Sequence, residues 1–100
     1  MPGEESMLTV QIEHPVPEYE KWKAAFVRDP ANREASGVRR YRVYRPVDDA
    51  HFVIVELDFD DRDRAESFVT TMRGIWKQVE GTVMTGPQVR ILECLDEHQY

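Results

Sequence analysis

The sequence predicts an α+β fold in which a four-stranded antiparallel sheet carries two helices on one face. Three stretches carry that prediction. From Met7 to Glu13 apolar and polar residues alternate, as a half-buried strand requires. From His51 to Asp60, Val53, Val55, Leu57 and Phe59 all fall on one side of the chain. From Ala65 to Val79 apolar residues recur every three or four positions, the period of a helix face.

The elements follow in order. In strand one Leu8, Val10 and Ile12 face one way and Thr9, Gln11 and Glu13 the other. His14-Pro15-Val16-Pro17 ends it, because proline has no N–H for the ladder and biases the preceding residue away from helix. Pro17 then suits the first turn of a helix. Helix one is predicted over Glu18 to Arg28 on the stripe Tyr19, Trp22, Ala25 and Phe26. Asp29-Pro30 interrupts it, and Ala31 to Ser36 is expected to add a short helical turn before Gly37. Strand two runs from Val38 to Arg45, where valines, tyrosines and arginines lie between Gly37 and Pro46. Pro46 to Ala50 forms a hairpin loop and His51 to Asp60 is strand three. Asp60 or Asp61 caps helix two, whose stripe is Ala65, Phe68, Val69, Met72, Trp76 and Val79. Gly81 to Pro87 breaks that helix. Gln88 to Leu95 supplies the last strand, with Val89 and Ile91 on one side and Leu92 and Cys94 on the other. This β-α-β-β-α-β order is the ferredoxin-like split arrangement. Residues 1–6 are expected to be a flexible leader, 7–95 the domain and 96–100 a polar tail.

A chain of 100 residues is too short for two good cores, so one domain is expected. With 19 acidic and 13 basic residues the formal net charge is -6, which speaks against nucleic acid and acidic membrane surfaces as partners. No apolar run approaches the roughly 20 residues of a membrane span, and residues 1–6 lack the basic and apolar regions of a signal peptide. A soluble cytoplasmic protein is therefore expected. The single cysteine, Cys94, excludes an internal disulfide and a multi-cysteine metal site. Because it alternates with Leu92 and has no basic neighbour, a buried inert thiol is expected.

A five-residue hairpin loop places Arg45 opposite His51, and hence Arg40 opposite Glu56. Tyr41 and Val43 then join Val53, Val55, Leu57 and Phe59 beneath the helices. The other face holds Val38, Arg40, Arg42 and Tyr44 with Phe52, Ile54, Glu56 and Asp58. Phe52, Ile54 and Tyr44 form an apolar patch there, and a second copy of the chain is the natural cover for it.

A set of residues in this frame also resembles a known family. His14-Pro15-Val16-Pro17-Glu18-Tyr19, then Trp22, Phe26, Arg33 and Gly37, then Tyr41-Arg42-Val43 and Asp48-Asp49 are similar to the dimeric α/β barrel proteins related to the antibiotic-biosynthesis monooxygenases. The closer likeness is to a small bacterial branch labelled cyclase or monooxygenase. The resemblance covers about residues 7–95. It implies a homodimer whose sheets pack face to face, with a pocket between sheet and helices in each subunit. It also implies a cofactor-independent monooxygenase, cyclase or isomerase acting on a small aromatic or polyketide-like molecule. The alternative is a non-catalytic homodimer that binds a small ligand or acts as an accessory protein, because this fold hosts many functions.

His14 ends strand one beside a proline-stiffened helix start, where an imidazole can serve as general acid or base; the competing reading is a histidine that bonds a loop carbonyl. Any pocket is expected to open between the end of strand one and the start of helix one. Trp22, Tyr19 and Phe26 would shape its apolar walls, although core packing is the preferred reading for both Trp22 and Trp76. Arg33 or Arg40 would stabilise an oxyanion. Against this stand an Arg33–Asp29 ion pair and cross-strand pairs of Arg40 with acids on strand three. His51 and His98 join no metal-ligand spacing, so zinc and haem iron are not indicated, and no nucleotide- or dinucleotide-binding motif is present.

Overall fold

A computed structural model describes residues 7–29, 31–79 and 86–100. The leader therefore lies outside the described residues, as does most of the predicted break between Gly81 and Pro87. The chain order is β1 (Leu8–Pro15), α1 (Tyr19–Val27), β2 (Arg40–Tyr44), β3 (Phe52–Phe59), α2 (Arg62–Val79) and β4 (Gln88–Glu93). All pairings are antiparallel and the strand order is β2-β3-β1-β4, the ferredoxin-like arrangement the sequence predicts.

Alternation along the strands decides what is buried. Val10 and Ile12 of β1 and Val53, Val55, Leu57 and Phe59 of β3 point to the helix side. There they meet Trp22 of α1 and Ala65, Phe68, Val69 and Trp76 of α2 in one apolar cluster. Fully burying a side chain such as Leu57 or Phe59 stabilises the fold by about 2 kcal/mol. Asp61 is the residue that caps α2: its Oδ1 accepts the N–H groups of Asp63 at 2.8 Å and Arg64 at 3.4 Å.

Four expectations are corrected. Tyr44 pairs with Ile54 and Arg40 with Asp58, so the β2–β3 register differs by two residues from the predicted one. The turn centres on Asp49 rather than Asp48, and moving the centre by one residue moves every pair by two. It is closed by the Asp49 N–H on the Pro46 carbonyl at 3.2 Å and the His51 N–H on Asp49 Oδ1 at 2.9 Å. A shift of two preserves which face each side chain occupies. Val38 lies in the core rather than on the open face, because β2 begins only at Arg40 and strand alternation does not reach back to it. Pro17 precedes α1 instead of opening it: Glu18 is extended and takes the N-cap position. Cys94 is exposed, because Val89 and Ile91 are the residues of β4 that pack on the core, and Cys94 shares the parity of Leu92, which pairs with Thr9 on the open face.

The connection from α1 to β2 shapes one end of the helix layer. Asp29 and Asn32 adopt positive φ of 55° and 51°, a region that Asp and Asn tolerate better than most residues. Gly37 has φ of 104°, and a Cβ there would lie 2.7 Å from Cδ of Arg64, so both backbone and space call for glycine.

Candidate functional site

His14 occupies the core-facing parity of β1, one alternation beyond Ile12, and is only 2% exposed. The N–H of Val16 donates to the His51 carbonyl at 2.7 Å and holds the turn that follows. His14 Nδ1 lies 3.0 Å from the Pro15 carbonyl oxygen. A carbonyl can only accept, so the neutral ring carries its proton on Nδ1 and its lone pair on Nε2. Nε2 has no hydrogen-bond partner among the described residues. Burial lowers the His14 pKa from the ordinary 6.5, and the bond to Pro15 offsets part of that effect. The result is an imidazole held neutral at pH 7, with the lone pair on Nε2.

An aromatic wall runs away from it. The His14 and Trp22 ring centroids are 6.0 Å apart, Trp22 stacks on Phe26 at 5.0 Å, and the guanidinium of Arg33 lies 3.9 Å over the Phe26 ring. Trp22 and Phe26 are four residues apart on α1 and so share one helix face. Arg33 comes from the connection after α1. Its Nη1–H donates to the Phe26 carbonyl at 2.9 Å, and Nε lies 3.5 Å from Asp29 Oδ1. The ion pair expected between Arg33 and Asp29 therefore forms, with the guanidinium at the far end of the wall from His14.

These residues enclose a cavity of about 270 Å³ between the sheet and the two helices. Ile12, Val55 and Leu57 form its floor; Phe68, Met72 and Trp76 of α2 face the α1 wall. It is near the lower end of small-molecule sites, which combine mostly apolar linings with a few polar groups. Arg28 and Gln78 are exposed at its margin, and His14 also borders a second cleft beside Glu13, Pro15 and Phe52 at the end of β1.

Of the predicted site residues, His14, Trp22, Phe26 and Arg33 are brought together. Tyr19 is not in the lining. It packs 5.8 Å from Trp22 with the Arg45 guanidinium 5.4 Å over its ring, and so supports the wall from behind. Arg40 is on the opposite face of the sheet: it pairs with Asp58, whereas His14 pairs with Val53 on the helix side. Trp76 is both core and cavity wall. Sequence reasoning missed Arg28, Met72 and Gln78; their positions at the ends or on the stripe of the helices are the only sequence signal for them.

The open sheet face has a polar centre of its own. Asp58 is 2% exposed and accepts from Thr9 Oγ1 at 2.8 Å, Arg40 Nε at 2.6 Å and Arg42 Nη1 at 3.2 Å. Burial alone would raise its carboxyl pKa, but these bonds and the Arg42 charge outweigh that and hold it below the ordinary 3.8. The hydrogen bond to Asp58 in turn raises Arg42 above its already high value. Arg42 also reaches Glu56 at 3.2 Å. The cross-strand ion pairs expected on this strand are present, with Asp58 rather than Glu56 as the partner of Arg40. A shallow groove of about 1020 Å³ lies beyond, where Arg39 pairs with Asp60 at 3.4 Å. Among the described residues no group of three or more potential metal ligands is found, and no helix is long and apolar enough to cross a membrane.

No family model matches the chain, and no curated protein matches it in sequence. Solved structures match its fold. SnoaB, a cofactor-independent oxygenase from Streptomyces nogalater, superposes with a TM-score of 0.71 at 11% identity over 92% of this chain and 96% of SnoaB. A protein from Bordetella bronchiseptica, provisionally assigned as an antibiotic biosynthesis monooxygenase, gives 0.70 at 18% identity over 90% and 98%. A dimeric ferredoxin-like protein from an uncultured marine organism gives 0.63 at 7% identity over 95% and 93%. At these identities the likeness is one of fold.

Proposed function

We propose that the chain is a small-molecule enzyme that binds a planar aromatic or polyketide-like compound in the cavity and removes a proton from it through His14, without a cofactor. The observation that carries this is His14 itself: a buried, neutral imidazole on the wall of an apolar cavity, with Nδ1 occupied by Pro15 and Nε2 unpartnered among the described residues. Monooxygenation, cyclisation and isomerisation of such compounds share one first step, the loss of an acidic C–H or O–H proton, and a positioned base accelerates it. Trp22 and Phe26 hold the ring, and Arg33 offsets the charge that develops on oxygen. The fold likeness to SnoaB, which is a cofactor-independent oxygenase, favours oxygenation among the three. In that chemistry the deprotonated substrate itself donates electrons to O2.

The protein works as a homodimer joined through the open sheet face, where Phe52, Ile54 and Tyr44 lie. The partial exposure of this apolar set and the dimeric fold neighbour support the assembly. Its single cysteine accords with a reducing cytoplasm.

The test follows the three imidazoles by NMR while a panel of planar aromatic compounds is added. A ligand-dependent change at His14 alone is expected. An unchanged His14 beside a moving His51 would put the site at the hairpin end and overturn the assignment. For a compound that is turned over, His14→Gln should keep binding and lose turnover. A panel that binds without any turnover would favour the accessory reading.

A further inference from the structure

The cavity carries a charge imbalance opposite to that of the chain. The protein has 19 acidic and 13 basic residues, yet the described lining holds Arg28, Arg33 and His14 and no Asp or Glu. Both arginines follow α1, while His14 stands at the other end of the Trp22–Phe26 wall. The Arg33 side chain is 15% exposed. Two of its nitrogens are engaged, Nη1 by the Phe26 carbonyl and Nε beside Asp29, and a guanidinium has five N–H groups, so donors remain. Arg28 forms no ion pair among the described residues, and it is exposed at the cavity margin.

We infer that the ligand is an aromatic carboxylate, its carboxylate held at the Arg28–Arg33 end and its reactive edge against His14. This rests on the small-molecule reading of the cavity given above and names the ligand class. The physical argument is one of compensation. A carboxylate enters a largely apolar cavity at high cost unless it is paired and hydrogen-bonded, and an arginine pair supplies both. A neutral aromatic offers the two guanidiniums no charge to pair with. His14, being uncharged, does not compete for the anion, so the ligand is oriented with its acidic proton at the base. Removing that proton adds a second negative charge to the ligand, and the imidazolium it forms on His14 lies against that charge. The competing role for Arg28 is to complement the partially negative C-terminal end of α1, where it is the C-cap.

The experiment compares 2-naphthoate with its uncharged analogue 2-naphthamide by isothermal titration calorimetry on the intact protein, with His14 followed by NMR. Naphthoate is expected to bind about tenfold more tightly at low salt, a preference that narrows as added salt screens the arginines. Arg28→Gln should weaken naphthoate about fivefold and Arg28→Glu more, while naphthamide binding stays unchanged. Arg33→Lys, which keeps the charge but loses the planar fork, should also weaken naphthoate. Equal binding of the two compounds with His14 moving in both would overturn the anion inference and leave the cavity site standing. A naphthoate preference untouched by Arg28→Glu would overturn it too, and would return Arg28 to its capping role. Binding of neither compound, with His14 unmoved, would remove the cavity reading and this inference together.

Discussion

The guanidinium of Arg33 covers the ring of Phe26 at 3.9 Å and donates at 2.9 Å to the carbonyl of the same residue. One side chain thus grips both the aromatic face and the backbone of a residue seven positions earlier. The Arg33 N–H adds a bond to Asp29 Oδ1 at 2.8 Å. The connection after α1 is thereby fastened to the end of the helix, and the cavity's cationic end is placed relative to Trp22 and His14. A stacked cation of this kind contributes about 1 kcal/mol.

Burial of His14 makes stability depend on pH. Above 6.5, its ordinary value, the imidazole is neutral in both the folded and unfolded chain and costs nothing. As pH falls below 6.5 the unfolded chain binds the proton while the folded ring resists it, so stability declines until folded His14 protonates as well. Urea midpoints measured from about pH 7.5 down to about pH 5 should show this decline, and His14→Gln should flatten it. An identical decline in the glutamine variant would assign it to other groups.

Asp58 gives the opposite end of the pH range its character. Its folded pKa is held below 3.8, so its contribution is complete above that value and lost as pH falls through the folded pKa. Asp58→Asn keeps the shape but removes the charge that Arg40 and Arg42 face. The expected loss is about 2 kcal/mol in urea unfolding at neutral pH. Arg40→Gln should cost less, because its side chain is 69% exposed.

Ile54 tests the assembly. It lies on the open face between Phe52 and Glu56 along β3, opposite Tyr44. Ile54→Asp puts an unpaired charge into the proposed apolar contact and should convert a dimer to monomer or aggregate in light scattering. A wild-type protein that is monomeric at micromolar concentration would refute the assembly outright.

Two glycines should respond with opposite signs. Gly37 sits at φ 104° with Arg64 Cδ 2.7 Å from an added Cβ. Gly37→Ala should therefore destabilise by about 1 kcal/mol or more, even after the flexible Arg64 side chain yields. Gly74 lies inside α2 with nothing within 4 Å of an added Cβ. Gly74→Ala should stabilise by about 0.5 to 1 kcal/mol. Thermal melts of the two variants would check the pair.

Element order and face assignment were legible in the sequence, because both follow from period and parity. Val53, Val55, Leu57 and Phe59 alternate along β3, and Ala65, Phe68, Met72 and Trp76 repeat at helical spacing, whatever lies across from them. That local information was enough to put His14, Trp22 and Phe26 on the helix side and Arg40 on the other. It did not reach beyond the ends of the elements, where Val38 turned inward once strand alternation stopped applying to it. Nor did it say which parity of β4 faces the core, which turned out to be that of Val89 and Ile91 and left Cys94 outside.

What the tertiary structure alone decided is distance between segments. The turn centre set the partner of Arg40, and burying Asp58 beneath three donors required β1, β2 and β3 together, so no local pattern marked that carboxylate. Likewise, the cavity exists because α1 and α2 do not close completely over Ile12, Val55 and Leu57. A void is a property of how surfaces fit, which hydrophobic periodicity does not encode. Within β1, β3 and the two helices the sequence by itself determined which side chains face inward; only the packed chain determined that His14 would meet empty space there, with arginine at the other end.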